Sequence, residues 1–101
     1  MLEISADGPF ITGKVRLIHA AGMHARPVVK LTKLAKRFQA QIFVRASEAA
    51  DWINAKSVAK VMVLRASRDA TLEFKAHGED AEAAVAALID LVATDFPDAG
   101  A

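Results

Sequence analysis

Apolar periodicity switches back and forth along this chain between two and about 3.6, and that alternation narrows what it can fold into. Lys14, Val15, Arg16, Leu17 and Ile18 alternate as a half-buried strand does. After a small-residue loop, Ala20 to Gly22, the run "HARPVVKLTKLAKRF" spaces Leu31, Leu34, Ala35 and Phe38 three and four apart, one buried helical stripe. Pro27 suits the first turn of that helix, where a missing N–H loses nothing, while Lys30, Lys33 and Arg37 take another face. "QIFVRA" returns to the strand period with Ile42 and Val44 on one side. Residues 47 to 50 read as a small-polar turn, and "DWIN" as a short strand returning from it. "AKSVAKVMVL" reads as a short helix, with Ser57 its N-cap and Val61 and Leu64 facing inward. "ATLEFKAH" alternates again, burying Leu72, Phe74 and Ala76. The last helix, in "GEDAEAAVAALIDLVATDF", carries Ala84, Val85, Leu88, Leu91 and Val92 as its stripe and acids in its first turn, and Pro97 ends it.

The order is therefore strand, helix, strand, strand, helix, strand, helix. Strands with one apolar face predict an α+β open-faced sandwich, a four-stranded antiparallel sheet with three helices on one face. A length of 101 residues fits one domain. Its core is expected over about residues 13–92, with a loose N-terminal extension, 1–10, and a loose tail, 95–101. The absence of cysteine excludes disulfides and thiolate metal sites, and a reducing compartment is the simpler reading. "MLEISADGPF" lacks the basic and apolar segments of a signal peptide, and no apolar run approaches the ~18 residues of a membrane helix. The expectation is a cytoplasmic monomer without cofactor or metal.

Charge is uneven. All 13 Lys and Arg lie between Lys14 and Lys75, where the only acids are Glu48, Asp51, Asp69 and Glu73. From Glu79 onward there are acids and no base. A basic body points to an anionic partner, or else to solvated faces on either side of one fold.

The three histidines differ in setting. His19 follows the strand and reads as packing or capping its end; His77, before Gly78, reads as a local hydrogen-bonding residue. His24 stands where a glycine-containing loop meets a helix N-terminus, with unpaired amides and a positive dipole end at hand. Arg26 adds a fork of donors suited to phosphate. An imidazole, whose unperturbed pKa is ~6.5, can act as a nucleophile at neutral pH and hold a phosphoryl group there. The residues alone equally allow His24 to be a polar helix start and Arg26 a surface charge.

"GMHARP", followed some thirty residues later by "NAKSV", resembles the HPr family, the histidine-containing phosphocarriers of the phosphoenolpyruvate-dependent phosphotransferase system. The similarity runs from about Gly13 to Val92. It implies that His24 is phosphorylated on Nδ1 by enzyme I, and that Arg26 pairs with the phosphoryl group and aids its transfer. It implies enzyme IIA-type acceptors, and in some bacteria a dedicated serine kinase acting on Ser57. Val29, Val58, Ala59 and Met62, with Lys60, match the family's partner-binding surface. The resemblance implies a carrier rather than an enzyme.

Several positions depart from the family pattern. Ala21 stands where Asn is common, Arg65 and Asp69 replace glycines of the turn before the last strand, and the 45–54 hairpin looks long. "GMHARP" and that hairpin are similar to NPr of the nitrogen-related branch, whereas "NAKS" is similar to kinase-regulated HPr. A regulator acting mainly by contact with partner proteins is the first rival. A nucleic-acid module is the second, and it is disfavoured because no paired aromatics for base stacking stand out on central strands.

Overall fold

The computed structural model describes residues 3–97. Its elements are β1 (Glu3–Asp7), β2 (Phe10–Arg16), α1 (Ala25–Ala35), β3 (Gln41–Arg45), β4 (Ile53–Asn54), α2 (Val58–Met62), β5 (Thr71–His77) and α3 (Ala81–Ala93). The sheet is antiparallel throughout and ordered β1-β2-β5-β3-β4. The expected four-stranded open-faced sandwich is present as β2-β5-β3-β4, with α3 across β2 and β5, α1 beside α3, and α2 beside α1.

Two expectations are corrected. Residues 3–7, read as part of a loose extension, form a fifth strand that pairs with β2 from Glu3↔Lys14 to Asp7↔Phe10. A two-residue turn, Gly8–Pro9, makes this pairing, and Gly8 supplies its positive φ of 63°. At the other end, the tail is tied down as far as Phe96, which is buried in the core. Residues 1–2 and 98–101 lie outside the described residues.

The core follows the predicted periodicities. Leu72, Phe74 and Ala76 of β5 and Ile42 and Val44 of β3 are buried beneath Val28, Leu31 and Ala35 of α1 and Ala84, Val85, Leu88 and Val92 of α3. Leu34, Phe38, Leu64 and Leu91 are only partly buried at its rim. The loop after α1 is clamped by the start of α3. Both carboxylate oxygens of Asp80 accept from backbone amides there, Gln39 N at 2.9 Å and Ala40 N at 2.8 Å. These bonds, Gln39 first, hold the Asp80 carboxyl below its ordinary range against the opposing effect of desolvation.

The open face of the sheet is polar and aromatic. Lys14, Glu73 and Arg45 form a row across β2, β5 and β3, with Arg45 Nη2 2.8 Å from Glu73 Oε2. Beside it the Lys75 ammonium lies 4.6 Å from the ring centres of Phe10 and Trp52. Phe10 and Phe43 do meet on this face, edge to face at 6.5 Å, a pairing that sequence reading missed. The Lys75 ammonium sits over both rings, which occupies the faces that stacked bases would need. His77 contacts the Phe10 ring at 5.7 Å, and among the described residues its side chain makes no local hydrogen bond of the kind expected of it.

Candidate functional site

The 19–24 loop is held in place by a second loop. Gly22 has a φ of 71°, and a Cβ there would stand 2.5 Å from the Ala66 carbonyl oxygen. Only glycine fits both the conformation and the approach. That same oxygen accepts from the Met23 amide at 2.8 Å, and the Asp69 amide donates to Leu17 O at 2.8 Å. The supporting loop contains two strained residues: Arg65 and Asp69 both adopt positive φ, 47° and 75°.

His24 emerges from this frame as the N-cap of α1. Its backbone is extended and its carbonyl accepts from Val28 N at 3.0 Å, yet its side chain makes no capping bond. The ring is exposed. The next residues, Ala25 and Arg26, carry first-turn amides with no acceptor inside the helix, and Pro27 has none to satisfy. With no acid in the first turn, the positive end of α1 faces outward uncompensated. The Arg26 side chain is exposed beside it and, among the described residues, has no hydrogen-bond or salt-bridge partner. An exposed imidazole, free amides and a free guanidinium thus meet at one helix start, which suits an anion carried on the ring.

His19 does not cap β2, which ends at Arg16. It lies in the loop with its ring centre 5.7 Å from that of His24, and its Nδ1 is 2.9 Å from Asp95 Oδ1. Phe96 presents its edge to the same ring at 5.9 Å, and its carbonyl accepts from Lys30 Nζ at 2.7 Å. His19, Asp95, Phe96 and Lys30 were missed as site residues, because residues 76 apart in the chain carry no shared local signal.

Ser57 is the N-cap of α2: its hydroxyl accepts from the Lys60 amide at 3.3 Å. Val29 on α1 and Val58 and Met62 on α2 are exposed apolar side chains on two helices that pack together. Ala59 and Lys60 are exposed between them, and Val63, just past α2, is the most exposed large apolar residue of this group. A groove of about 590 Å³ lies instead across β2, β5 and the residues after β3, among Lys14, Arg16, Glu48 and Glu73, and contains none of these residues. No helix of the described residues is long and apolar enough to cross a membrane.

A family model, the PTS HPr component phosphorylation site, matches residues 11–94, well over half of the chain. The chain belongs to the HPr family. It is 34% identical over 80 residues to the phosphocarrier protein HPr of Haloferax volcanii, covering 79% of this chain and 90% of that one. Phosphocarrier protein NPr of Escherichia coli K12 is 34% identical over 82 residues, covering 81% and 90%. The crystal structure of HPr-C-His from Thermoanaerobacter tengcongensis superposes with a TM-score of 0.78 at 31% identity, covering 86% of this chain and 96% of that one. A further relative, the multiphosphoryl transfer protein of Vibrio cholerae, is 40% identical over 78 residues, and the chain spans only 20% of its length. HPr and NPr proteins are phosphocarriers of the phosphotransferase system, not catalysts, and the chain is one of this type.

Proposed function

We propose that this HPr-family chain accepts a phosphoryl group on Nδ1 of His24 from phosphorylated enzyme I and passes it to enzyme IIA-type acceptors. One observation carries the reading. His24 is an exposed N-cap whose side chain makes no cap, at a helix start that leaves two amides and the Arg26 fork free. In the transfer, the His24 nitrogen lone pair forms a new N–P bond as the donor's N–P bond breaks. That electron pair returns to the donor imidazole, which takes a proton from solvent, while the phosphorylated His24 ring releases one. The reaction exchanges one phosphohistidine for another, so the fold need only stabilise the group moderately. A helix N-terminus contributes ~0.3–1 kcal/mol and a charge-assisted hydrogen bond ~1.5–3 kcal/mol, enough to hold the group without trapping it.

Val29, Val58, Ala59, Lys60 and Met62 are assigned as the docking surface, where an exposed apolar patch with a polar rim suits a transient partner. Ser57 is assigned as a regulatory phosphorylation site for a serine kinase. The chain acts as a single HPr-like domain, monomeric and cytoplasmic. Incubation with phosphoenolpyruvate and enzyme I, followed by intact-mass measurement, tests the reading: the chain gains one acid-labile phosphoryl group, and His24→Ala gains none. Labelling of His24→Ala would overturn it. The similarity to NPr favours a second reading, a nitrogen-branch regulator acting by contact, which predicts partner binding indifferent to the state of His24.

A further inference from the structure

The end of α3 is built with a residue that strains it. Phe96 N donates to Leu91 O at 2.8 Å and Asp95 N to Val92 O at 3.1 Å, the paired bonds of a Schellman cap. Asp95 occupies the position of that motif where glycine is usual, at a φ of 61°, and Phe96 follows at 52°. Glycine would close the cap with less strain. What Asp95 supplies, and glycine lacks, is a carboxylate 2.9 Å from His19 Nδ1. An ionised carboxylate has no hydrogen to give, so the His19 ring donates from Nδ1. Lys30 pins the Phe96 carbonyl to α1, and the Phe96 ring edge closes on His19 from the side. The cap therefore serves as a mount that fixes one imidazole against the ring of His24, 5.7 Å away.

We infer that His19, oriented by Asp95, is a positioning residue for the phosphoryl group on His24, and that its imidazolium form places a positive charge against that group. The inference rests on the proposed phosphorylation of His24 and extends it to a pH dependence. His19 takes no part in bond making: the N–P bond forms at His24 and breaks at the donor, and no proton need leave His19. Protonation turns a neutral imidazole into a cation, so this second charge is gained as pH falls and lost as it rises. The charged or titratable groups against it are Asp95 after α3 and His24 at the start of α1, with Lys30 of α1 bound to the carbonyl of the Phe96 that touches its ring; the loop packed on Gly22 carries Arg68 and Asp69, the latter paired with Arg16 at 3.6 Å. Only His19 among these is an imidazole other than the acceptor itself.

The experiment measures phosphoryl uptake from phosphoenolpyruvate and enzyme I across pH for wild type, His19→Gln, His19→Lys and Asp95→Gly. Taking the ratio of wild type to variant removes titrations common to both, including those of enzyme I. The wild-type to His19→Gln ratio should be roughly three- to tenfold at the acid end of the range and decline toward one at the alkaline end. His19→Lys, cationic throughout, should outpace His19→Gln at the alkaline end. Asp95→Gly relieves the cap, so its Tm should rise by about 2–5 °C while its uptake slows as in His19→Gln. A merely structural role would move stability and uptake together and leave the ratio flat. A ratio independent of pH, or an Asp95→Gly chain that accepts phosphoryl as fast as wild type, overturns the inference and leaves the His24 assignment standing. A wild-type chain that accepts nothing overturns both.

Discussion

Replacing Gly22 by alanine probes how the supporting loop builds the loop that carries His24. The glycine has a φ of 71°, and an added Cβ would meet Ala66 O at 2.5 Å and Ser67 Cα at 3.1 Å, both backbone atoms that cannot rotate away. Left-handed backbone costs about 1–2 kcal/mol for alanine, part of which is offset by the loss of glycine's freedom in the unfolded chain. To make room, Ala66 O must withdraw from the Met23 amide it accepts from at 2.8 Å. Stranding those groups adds about 1–3 kcal/mol, for a sum near 3 kcal/mol. Gly8→Ala is the internal control, because Gly8 has a similar φ of 63° with nothing within 4 Å of the added atom. It should lose only about 1 kcal/mol. Urea denaturation reads both losses, and phosphoryl uptake should fall only in Gly22→Ala, whose displaced loop carries His24. Equal destabilisation in the two variants would refute the argument from close approach and leave only backbone conformation.

Three further outcomes are expected. Arg26→Ala, a change at an exposed residue, should alter stability by less than about 0.5 kcal/mol yet slow phosphoryl transfer roughly tenfold or more; unchanged stopped-flow kinetics would make Arg26 a surface charge. Ser57→Asp keeps a good N-cap and should hold its Tm, while the added charge beside Val58, Ala59 and Met62 slows uptake at His24 by about tenfold, measured with purified enzyme I. Asp80→Asn removes a carboxylate whose titration is depressed by the Gln39 and Ala40 amides. Wild type therefore holds extra stability above the unfolded-state value of ~4 and loses it as pH falls through the lower folded value, so the Tm gap between the two chains should close in acid.

Much of the fold was legible because each element repeats its own period. β3 and β5 bury the residues their spacing selects, α3 buries its selected stripe except for Leu91 and adds Ile89, and Ser57 caps α2 by a local bond that its position before Val58 announces. β1 escaped notice because its residues, Glu3–Asp7, show no long alternation, and its order comes from ladder bonds to β2. A signal was nonetheless present: Asp7-Gly8-Pro9 immediately before Phe10 and Ile11 is the dipeptide chemistry of a tight hairpin. The helix start at His24 was readable from the residues, since a loop glycine and a proline bracket it, while its proposed role as acceptor came from the resemblance of "GMHARP" to the HPr family. The second imidazole was not readable. Nothing near His19 in sequence points to Asp95, and a helix cap lacking glycine conceals the turn that brings the carboxylate across.

The central claim is that the phosphoryl group resides on His24. NMR of the phosphorylated chain with isotopically labelled histidine rings locates it without mutation, through one-bond phosphorus–nitrogen coupling. The account predicts that coupling at a single His24 nitrogen, Nδ1, with His19 and His77 uncoupled. Coupling at His19, or at no histidine of a chain shown by mass to be phosphorylated, would contradict it.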